Sequence, residues 1–266
     1  MPTVHSLDAE IFYEVVGNGA PVALLHPFPV HHDFWRPSLQ QLPPRYTLIL
    51  PDLRAHGASD AGDGPATMEK HVADLIRILD DARVTRAVFV GVSIGGYILF
   101  EFWRRYRERI SALVLCNTKA KADTAQARAG RLQSAEKVLQ QGVEAFAEEM
   151  LSKVLGQTTR TTRPDLVEGA RKMMLRMSAE DISLTQRGMA ERPDSVSTLK
   201  SMNVPTLIMT GEEDAMTGVA EADLMRQHIV NSQMKVIAKA GHYSPWEQPD
   251  EAGRLIRQFL DTVPSG

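Results

Sequence analysis

Short runs of β-branched and aliphatic residues alternate along this chain with longer segments whose apolar positions recur at helical spacing. Most of the short runs are continuously apolar, which is typical of strands covered on both faces of a sheet, whereas Ile11–Val16 alternates like an earlier, half-buried strand. The predicted buried strands are Pro21–Leu25, Tyr46–Leu50, Ala87–Val90, Ala112–Cys116, Pro205–Thr210 and Lys235–Ala238, and the predicted helices between and after them are Thr67–Leu79, Ile94–Tyr106, Val219–Val230 and Asp250–Leu260. This alternation predicts an α/β protein with a mostly parallel central sheet flanked by helices.

The segment from about Lys119 to Lys200 interrupts the alternation. It is rich in Ala, Glu, Arg, Gln and Met, contains no convincing strand, and has Pro164 and Pro193 as helix breakers. A helical insertion between two strands is expected to lie across the carboxyl ends of the strands, where ligands bind in α/β sheets. We therefore predict a core formed by residues 1–118 and 201–266 and a helical cap formed by residues 119–200. The alternative is a set of ordinary helices packed against the sheet.

The composition of the chain excludes several classes of function. The 266 residues are enough for one large domain, and 43% hydrophobic with 24% charged residues is ordinary for a globular protein. The formal net charge of −3 offers no basic excess for nucleic acid, and no apolar run approaches the roughly 20 residues of a membrane span. A single cysteine excludes an intramolecular disulfide, and no cationic segment leads into an apolar one at the N-terminus. A cytoplasmic protein without nucleic-acid or membrane partners is expected, with a homo-oligomer left open.

The sharpest motif is Gly91-Val92-Ser93-Ile94-Gly95-Gly96, which directly follows the predicted strand Ala87–Val90 and opens the next predicted helix. A G-x-S-x-G sequence on a strand-to-helix turn holds its serine in a strained conformation with the hydroxyl exposed. A serine in this position can also be a simple helix N-cap. The strand and helix around the motif favour the first interpretation, so Ser93 is the predicted nucleophile.

A serine hydroxyl needs a general base. The chain has eight histidines, and their positions relative to the predicted strands indicate which one can be that base. His242 follows the predicted strand Lys235–Ala238 and precedes the last helix, so it is expected at the same sheet edge as Ser93. His56, His71 and His228 lie in a loop or in helices without that geometry, and we interpret them as surface or hydrogen-bonded histidines.

The histidine in turn needs a carboxylate to orient it. The predicted strand Pro205–Thr210 runs into Gly211-Glu212-Glu213-Asp214, and Asp214 at the far end of the turn is best placed to reach His242. Glu212 and Glu213 remain competitors. The other strand that could carry the acid, Ala112–Cys116, is followed by Asn117 and Thr118 and offers no carboxylate.

Acyl transfer also needs N–H donors for the developing oxyanion. Ile94, immediately after Ser93, is the first expected donor. The second is expected from the loop after strand Pro21–Leu25, where proline lacks an N–H and Phe28 is therefore the donor within Pro27–Pro29. The alternative is a rigid turn with a buried phenylalanine.

With these residues in place, the chain resembles the α/β-hydrolase superfamily over nearly its whole length, including the chain order serine, aspartate, histidine. Pro51-Asp52-Leu53-Arg54-Ala55-His56-Gly57-Ala58-Ser59 resembles the D-x-R-x-x-G-x-S segment of that family, which braces loops near the site, and His26-Pro27-Phe28-Pro29 resembles its H-G-aromatic-P oxyanion loop. There are two departures: Pro27 replaces the usual glycine of the oxyanion loop, and Ala55 replaces the glycine of the D-x-R-G-x-G form of the other segment.

Within the superfamily, the chain is most similar to small bacterial carboxylesterases, 3-oxoadipate enol-lactonase-like proteins and cofactor-free haloperoxidases. The resemblance implies a serine hydrolase that cleaves small to medium esters or lactones without a cofactor. A ring-opening or C–C hydrolase and a perhydrolase would use the same residues, and a ligand-binding protein on a hydrolase scaffold is a further alternative.

One cluster suggests metal binding at first sight. His26, His31, His32 and Asp33 lie close together in sequence, but their spacing fits no zinc pattern, and we expect a solvated helix start without a metal.

Overall fold

The computed structural model describes residues 2–42 and 44–263. Its centre is an eight-stranded sheet with the order β1-β2-β4-β3-β5-β6-β7-β8. The strands are β1 (Thr3–Ser6), β2 (Ala9–Val16), β3 (Ala20–Leu25), β4 (Tyr46–Pro51), β5 (Ala87–Val92), β6 (Ile110–Cys116), β7 (Thr206–Gly211) and β8 (Ser232–Ile237). The β1–β2 and β2–β4 pairs are antiparallel and all other pairs are parallel, which confirms the predicted mostly parallel sheet.

Helices flank this sheet and fill the connections between its parallel strands. They are α1 (Arg36–Leu39), α2 (Met68–Asp81), α3 (Ile94–Tyr106), α4 (Ala125–Val154), α5 (Gln157–Thr162), α6 (Pro164–Met174), α7 (Ala179–Ala190), α8 (Val196–Leu199), α9 (Val219–His228), α10 (Ser244–Glu247) and α11 (Pro249–Leu260). The predicted helices correspond to α2, α3, α9 and α11 within two residues at each end. In α2 the boundary has a visible cause, because the Thr67 side chain accepts from the Lys70 N–H and caps the helix.

The core lies on both faces of the middle strands. Every residue of β5 and of β7 is buried, and α3 packs against both β5 and β6. Continuous apolar sequence is what such strands require, since neither face meets water. This is why the sequence pattern located them well.

Two strands differ from the prediction. β1 was not predicted, because a four-residue strand with alternating burial carries little pattern. The last strand was predicted as a buried run at Lys235–Ala238, but β8 spans Ser232–Ile237 and Val236 is 47% exposed. β8 is the edge strand beyond β7, and an edge position leaves side chains open to solvent that a central strand would bury.

Residues 119–200 contain helices α4 to α8 and no strand, as the sequence predicts. α4 is broken at Gly142, whose φ of 82° and ψ of 172° lie outside the helical region. The two chain segments that enter and leave this helical region run side by side. Ser195 N donates to Ala120 O at 2.8 Å, and the Arg192 guanidinium donates to Asp123 Oδ1 at 2.7 Å.

Within the described residues, no helix combines the length and the apolar character that crossing a membrane requires.

Candidate active site

The three residues predicted to form the catalytic set all follow parallel strands and lie at the same edge of the sheet. Ser93 comes directly after β5, Asp214 three residues after β7, and His242 five residues after β8. β8 is separated from β5 by β6 and β7, so the loop that carries His242 has to reach back across two strand ends. Its Gly241 carbonyl accepts from Asn117 Nδ2, after β6, at 3.1 Å, which shows that it does so.

Ser93 occupies a strained turn between β5 and α3. Its φ of 55° and ψ of −111° lie in a region that L-residues rarely adopt, which costs about 1–3 kcal/mol. Hydrogen bonds hold the turn: Ser93 N donates to Cys116 O at 3.0 Å, and Ser93 O accepts from Thr118 Oγ1 at 2.8 Å. The residue is 8% exposed and opens α3 at its N-terminus, where free N–H groups favour negative charge.

The two glycines that flank Ser93 are required by close backbone contacts. A Cβ on Gly91 would lie 2.6 Å from the Gly95 carbonyl carbon, and a Cβ on Gly95 would lie 2.9 Å from Leu25 O. The chain doubles back so tightly that no side chain fits at either position. The G-x-S-x-G pattern is therefore a steric consequence of the turn.

Asp214 and His242 are brought together in a buried pair. His242 Nδ1 donates to Asp214 Oδ2 at 3.0 Å, and both side chains are almost completely buried. The carboxylate also accepts from Met216 N at 2.8 Å and from Thr217 Oγ1 at 2.7 Å. Among the described residues, His242 Nε2 has no hydrogen-bond partner, and it forms no hydrogen bond with Ser93 Oγ. Apo enzymes often show such loose contacts, which tighten with substrate.

Electrostatics keep Asp214 ionised. Burial by itself would raise its pKa, but the nearby His242 and the hydrogen bonds from His242, Asn117 and Thr217 lower the pKa well below the usual value. The two competing glutamates are engaged elsewhere: Glu213 accepts from Thr158 N at 2.8 Å, and Glu212 accepts from Lys239 N at 3.2 Å. The geometry thus favours Asp214 as the partner of His242.

Asn117 is a site residue that sequence reasoning missed. Its Nδ2 donates to Asp214 Oδ2 at 2.9 Å as well as to the Gly241 carbonyl, and its Oδ1 accepts from Ser244 Oγ at 2.5 Å. The signal in the sequence is its position directly after a central strand, but an amide cannot serve as the acid, so the position predicted no role for Asn117. Asn117 links the acid to the loop that carries the histidine.

Glu247 is a second missed residue. It is 1% exposed, and its Oε1 accepts from Gly241 N at 2.9 Å and from Tyr243 N at 3.2 Å, so it holds the backbone on both sides of His242. Its Oε2 accepts from Gly156 N at 2.8 Å, in the helical segment. Burial raises the pKa of Glu247, and the backbone donors oppose that shift. No local pattern marked this residue, because its role depends on the fold of the loop around it.

The two predicted oxyanion donors are backbone N–H groups, one in the loop after β3 and one at the first residue of α3. Within the described part of the chain, neither Phe28 N nor Ile94 N donates to a protein acceptor. The loop that carries Phe28 is held by its carbonyls: Pro27 O accepts from His26 Nδ1 at 2.9 Å and from Val30 N at 3.3 Å. The Phe28 ring packs against Phe146 of α4, with ring centroids 5.9 Å apart. The two interpretations of this loop, a rigid turn with a buried phenylalanine and an oxyanion loop, are therefore compatible.

The histidine cluster near this loop is not a solvated helix start. His26 and His31 are buried, and His26 Nε2 accepts from Leu53 N at 2.9 Å. His31, His32 and Asp52 form a group of the kind that can hold a metal ion, but His32 Nδ1 already donates to Asp52 Oδ1 at 2.6 Å. Burial would lower the pKa of His32, and the Asp52 carboxylate raises it above the usual value. The residues thus brace the loop after β4 against the loop after β3.

The remaining histidines fit the expectation only in part. His228 Nδ1 and His56 Nδ1 donate to backbone carbonyls at 2.8 Å. However, His56 Nε2 and both ring nitrogens of His71 are buried without a hydrogen-bond partner in the described residues. Burial lowers the pKa of His56 to about 4 and that of His71 well below the usual value.

Arg54 anchors the segment that resembles D-x-R-x-x-G-x-S. It is 0% exposed, and its guanidinium donates to Asp8 Oδ1 at 2.5 Å and to Asp74 Oδ1 at 2.6 Å. The arginine joins the turn between β1 and β2, the loop after β4 and α2. Its role is to support the loops beneath the site, as the resemblance implies.

Comparison with known proteins agrees with this architecture. Residues 20–249 match the family described as the alpha/beta hydrolase fold. An esterase from Thermogutta terrifontis, solved with malate bound, is 35% identical with a TM-score of 0.95, and the match covers 99% of each chain. The 3-oxoadipate enol-lactonase 2 of Acinetobacter baylyi is 28% identical over 97% of this chain and 96% of its own.

A bromoperoxidase from Bacillus anthracis shares the fold at 20% identity, with a TM-score of 0.86 over 98% of this chain and 99% of its own. The predicted resemblance to esterases, enol-lactonases and haloperoxidases is confirmed by these matches. The family match, the mostly parallel sheet and the serine turn after β5 together show that this chain belongs to the α/β-hydrolase family and is a carboxylesterase-like hydrolase.

Proposed function

We propose that this protein is a serine hydrolase that cleaves small to medium carboxylic esters or lactones through an acyl-enzyme, with Ser93 as nucleophile, His242 as general base and Asp214 as the orienting acid. The observation that carries the proposal is the buried His242–Asp214 pair at the same sheet edge as the strained Ser93. The named relatives, an esterase and an enol-lactonase, support this substrate class.

The reaction follows from the roles of these groups. Ser93 Oγ attacks the substrate carbonyl carbon while His242 Nε2 takes its proton, and Asp214 stabilises the resulting imidazolium. The N–H groups of Phe28 and Ile94 bind the oxyanion, each contributing about 3–4 kcal/mol of transition-state stabilisation. The carbon–oxygen bond to the leaving group then breaks, and His242 returns the proton to the departing alkoxide. A water molecule, activated by the same histidine, releases the acid and regenerates Ser93. The substrate and one water molecule supply all of the atoms of the products, and the protein groups are regenerated.

Residues 119–200 act in this proposal as a cap over the site. Direct contacts between this segment and the catalytic loops support the role of a cap. Phe146 packs on Phe28, Val154 O accepts from Tyr243 N at 3.1 Å, and Gly156 N donates to Glu247. The buried methionines of the segment, Met173, Met174, Met177 and Met189, are either wall residues of an acyl pocket or packing.

The test compares wild type with Ser93→Ala and with Ser152→Ala, an exposed serine on α4, as the matched control. We expect p-nitrophenyl acetate and butyrate to be hydrolysed with an initial burst, and we expect S93A to lose this activity while S152A keeps it. A fluorophosphonate should label the wild type and S152A at Ser93 only.

Two outcomes would contradict the proposal. A wild type that neither turns over the esters nor reacts with the fluorophosphonate would favour the ligand-binding alternative. Equal activity in S93A would assign the nucleophile to another residue.

A further inference from the structure

The residue after His242 reaches the loop that carries the oxyanion donor. Tyr243 is 0% exposed, and its hydroxyl donates to the carbonyl oxygen of Phe28 at 2.8 Å. The ring is fixed by packing, edge-on against Phe34 with centroids 5.3 Å apart and an interplanar angle of 79°. One side chain thus joins the loop after β8 to the loop after β3.

This contact supplies one of the two anchors that orient the Phe28 N–H. The peptide unit that carries this N–H has Pro27 O at its other end, and that oxygen is bound by His26 Nδ1 and Val30 N. The following peptide unit has Phe28 O, which the Tyr243 hydroxyl binds. Since a peptide unit is planar, anchoring both carbonyls fixes the orientation of the N–H between them.

The backbone of Tyr243, which directly follows the general base His242, is also held by hydrogen bonds. Its N–H donates to Val154 O at 3.1 Å and to Glu247 Oε1 at 3.2 Å, and the same Glu247 oxygen accepts from Gly241 N. The backbone on both sides of His242 and the carbonyl of Phe28 are therefore parts of one hydrogen-bonded unit.

We propose that Tyr243 is a positioning residue, which holds the oxyanion donor Phe28 in a fixed relation to the general base His242. This inference rests on the proposed function. Tyr243 contacts no reacting atom; it acts through the Phe28 backbone. Donors aimed in advance at the oxyanion are effective because they need no reorganisation during the reaction, so a loosened Phe28 loop slows catalysis and leaves substrate binding intact.

Burial supports this role, because it raises the pKa of the Tyr243 hydroxyl well above 10. The hydroxyl therefore remains a donor throughout the working pH range.

The experiment compares Tyr243→Phe with Tyr46→Phe in the ester assay, with S93A in the same series. Tyr46 is a matched control: it is also buried, and its hydroxyl donates at 2.9 Å to Asp261, the residue directly after α11. We expect Y243F to lower kcat by about tenfold, less than the 10²–10³-fold loss of a whole oxyanion donor, with KM within about twofold. Y46F should keep the wild-type kcat.

Two further readouts separate positioning from general destabilisation. A simple alkyl boronic acid, which adds to the serine as a tetrahedral anion, should bind Y243F more weakly by about the same factor as the loss in kcat. The pH of the acid limb of kcat/KM should not move, because His242 and Asp214 keep their contacts. Should Y243F fail to fold, Phe34→Leu is the second variant: it removes the ring that packs edge-on against Tyr243 and should also lower kcat at unchanged KM.

Unchanged kcat and boronate affinity in a Y243F enzyme of lower melting temperature would overturn the inference, because the tyrosine would then be only structural. A rise in KM alone would make it a wall of the substrate pocket, which also contradicts it. Wild-type activity in S93A would instead refute the proposed function, whatever Y243F does.

Discussion

The side-chain amide of Asn117 donates a 2.9 Å hydrogen bond to the carboxylate of Asp214, across the ends of the neighbouring strands β6 and β7. The same amide also holds the carbonyl of Gly241, next to His242. Asn117 therefore sets the distance between the acid and the loop of the base.

Removing this amide should reduce catalysis without abolishing it. We expect Asn117→Ala to lower kcat/KM about tenfold and the free energy of unfolding by about 1–2 kcal/mol, since a buried hydrogen-bonding network loses a member. Steady-state ester hydrolysis and urea unfolding measure the two effects, with Asn203→Ala as an exposed control. Full activity in N117A would show that Asp214 and Thr217 position the histidine by themselves.

Asp214 should be far more important for turnover than the glutamates beside it. Asp214→Asn removes the charge that stabilises the imidazolium and favours the wrong tautomer of His242, and we expect kcat to fall by about 10³–10⁴-fold. Glu213→Gln is the matched control, because Glu213 binds Thr158 instead. A larger loss in E213Q than in D214N would transfer the role of the acid to Glu213.

Arg54 should contribute to stability and not to chemistry. Arg54→Met leaves the buried Asp74 without its ion-pair partner, and breaking a buried pair in this way costs about 3–5 kcal/mol. We expect the melting temperature to fall by roughly 10 °C while kcat of the folded enzyme stays within about threefold. Arg254→Met, which breaks an exposed pair with Glu251, should change the melting temperature little. Equal effects of the two substitutions would argue against the anchoring role.

Acid should destabilise the protein through its buried histidines. Burial lowers the pKa of His56 from 6.5 to about 4 and lowers those of His26 and His71 as well. Between these values the unfolded chain binds protons that the folded chain excludes, so stability is complete above about pH 6.5 and is lost as the pH falls toward 4. Each such histidine lowers the free energy of unfolding by up to about 1.4 kcal/mol for each pH unit below 6.5.

His71→Leu tests this relation, because both of its ring nitrogens are buried without a hydrogen-bond partner in the described residues. We expect H71L to lose less stability than wild type between pH 6.5 and 4 in urea unfolding, while Asn203→Ala, which replaces an exposed residue that does not titrate, should follow the wild-type curve. Identical slopes for H71L and wild type would mean that His71 is protonated equally in the folded and unfolded chains.

Most of the fold was predictable because its signals are local. A strand covered on both faces must be apolar throughout, as in β5, and a helix must repeat its apolar positions, as in α2 and α3. The prediction was wrong for β8, whose Lys235 and Val236 are exposed, because local sequence does not reveal that a strand lies at the edge.

The same distinction applies to the site. The sequence by itself determined the serine turn, since Gly91 and Gly95 are steric requirements within a few residues of Ser93. It also determined which strand ends carry the predicted acid and base.

Only the tertiary structure decided how these loops are connected. The Tyr243 hydroxyl and the Phe28 carbonyl lie 215 positions apart in the chain, and Asn117 and Asp214 lie 97 apart. Such contacts depend on the order of the strands and on the packing between them, which local residue patterns do not encode.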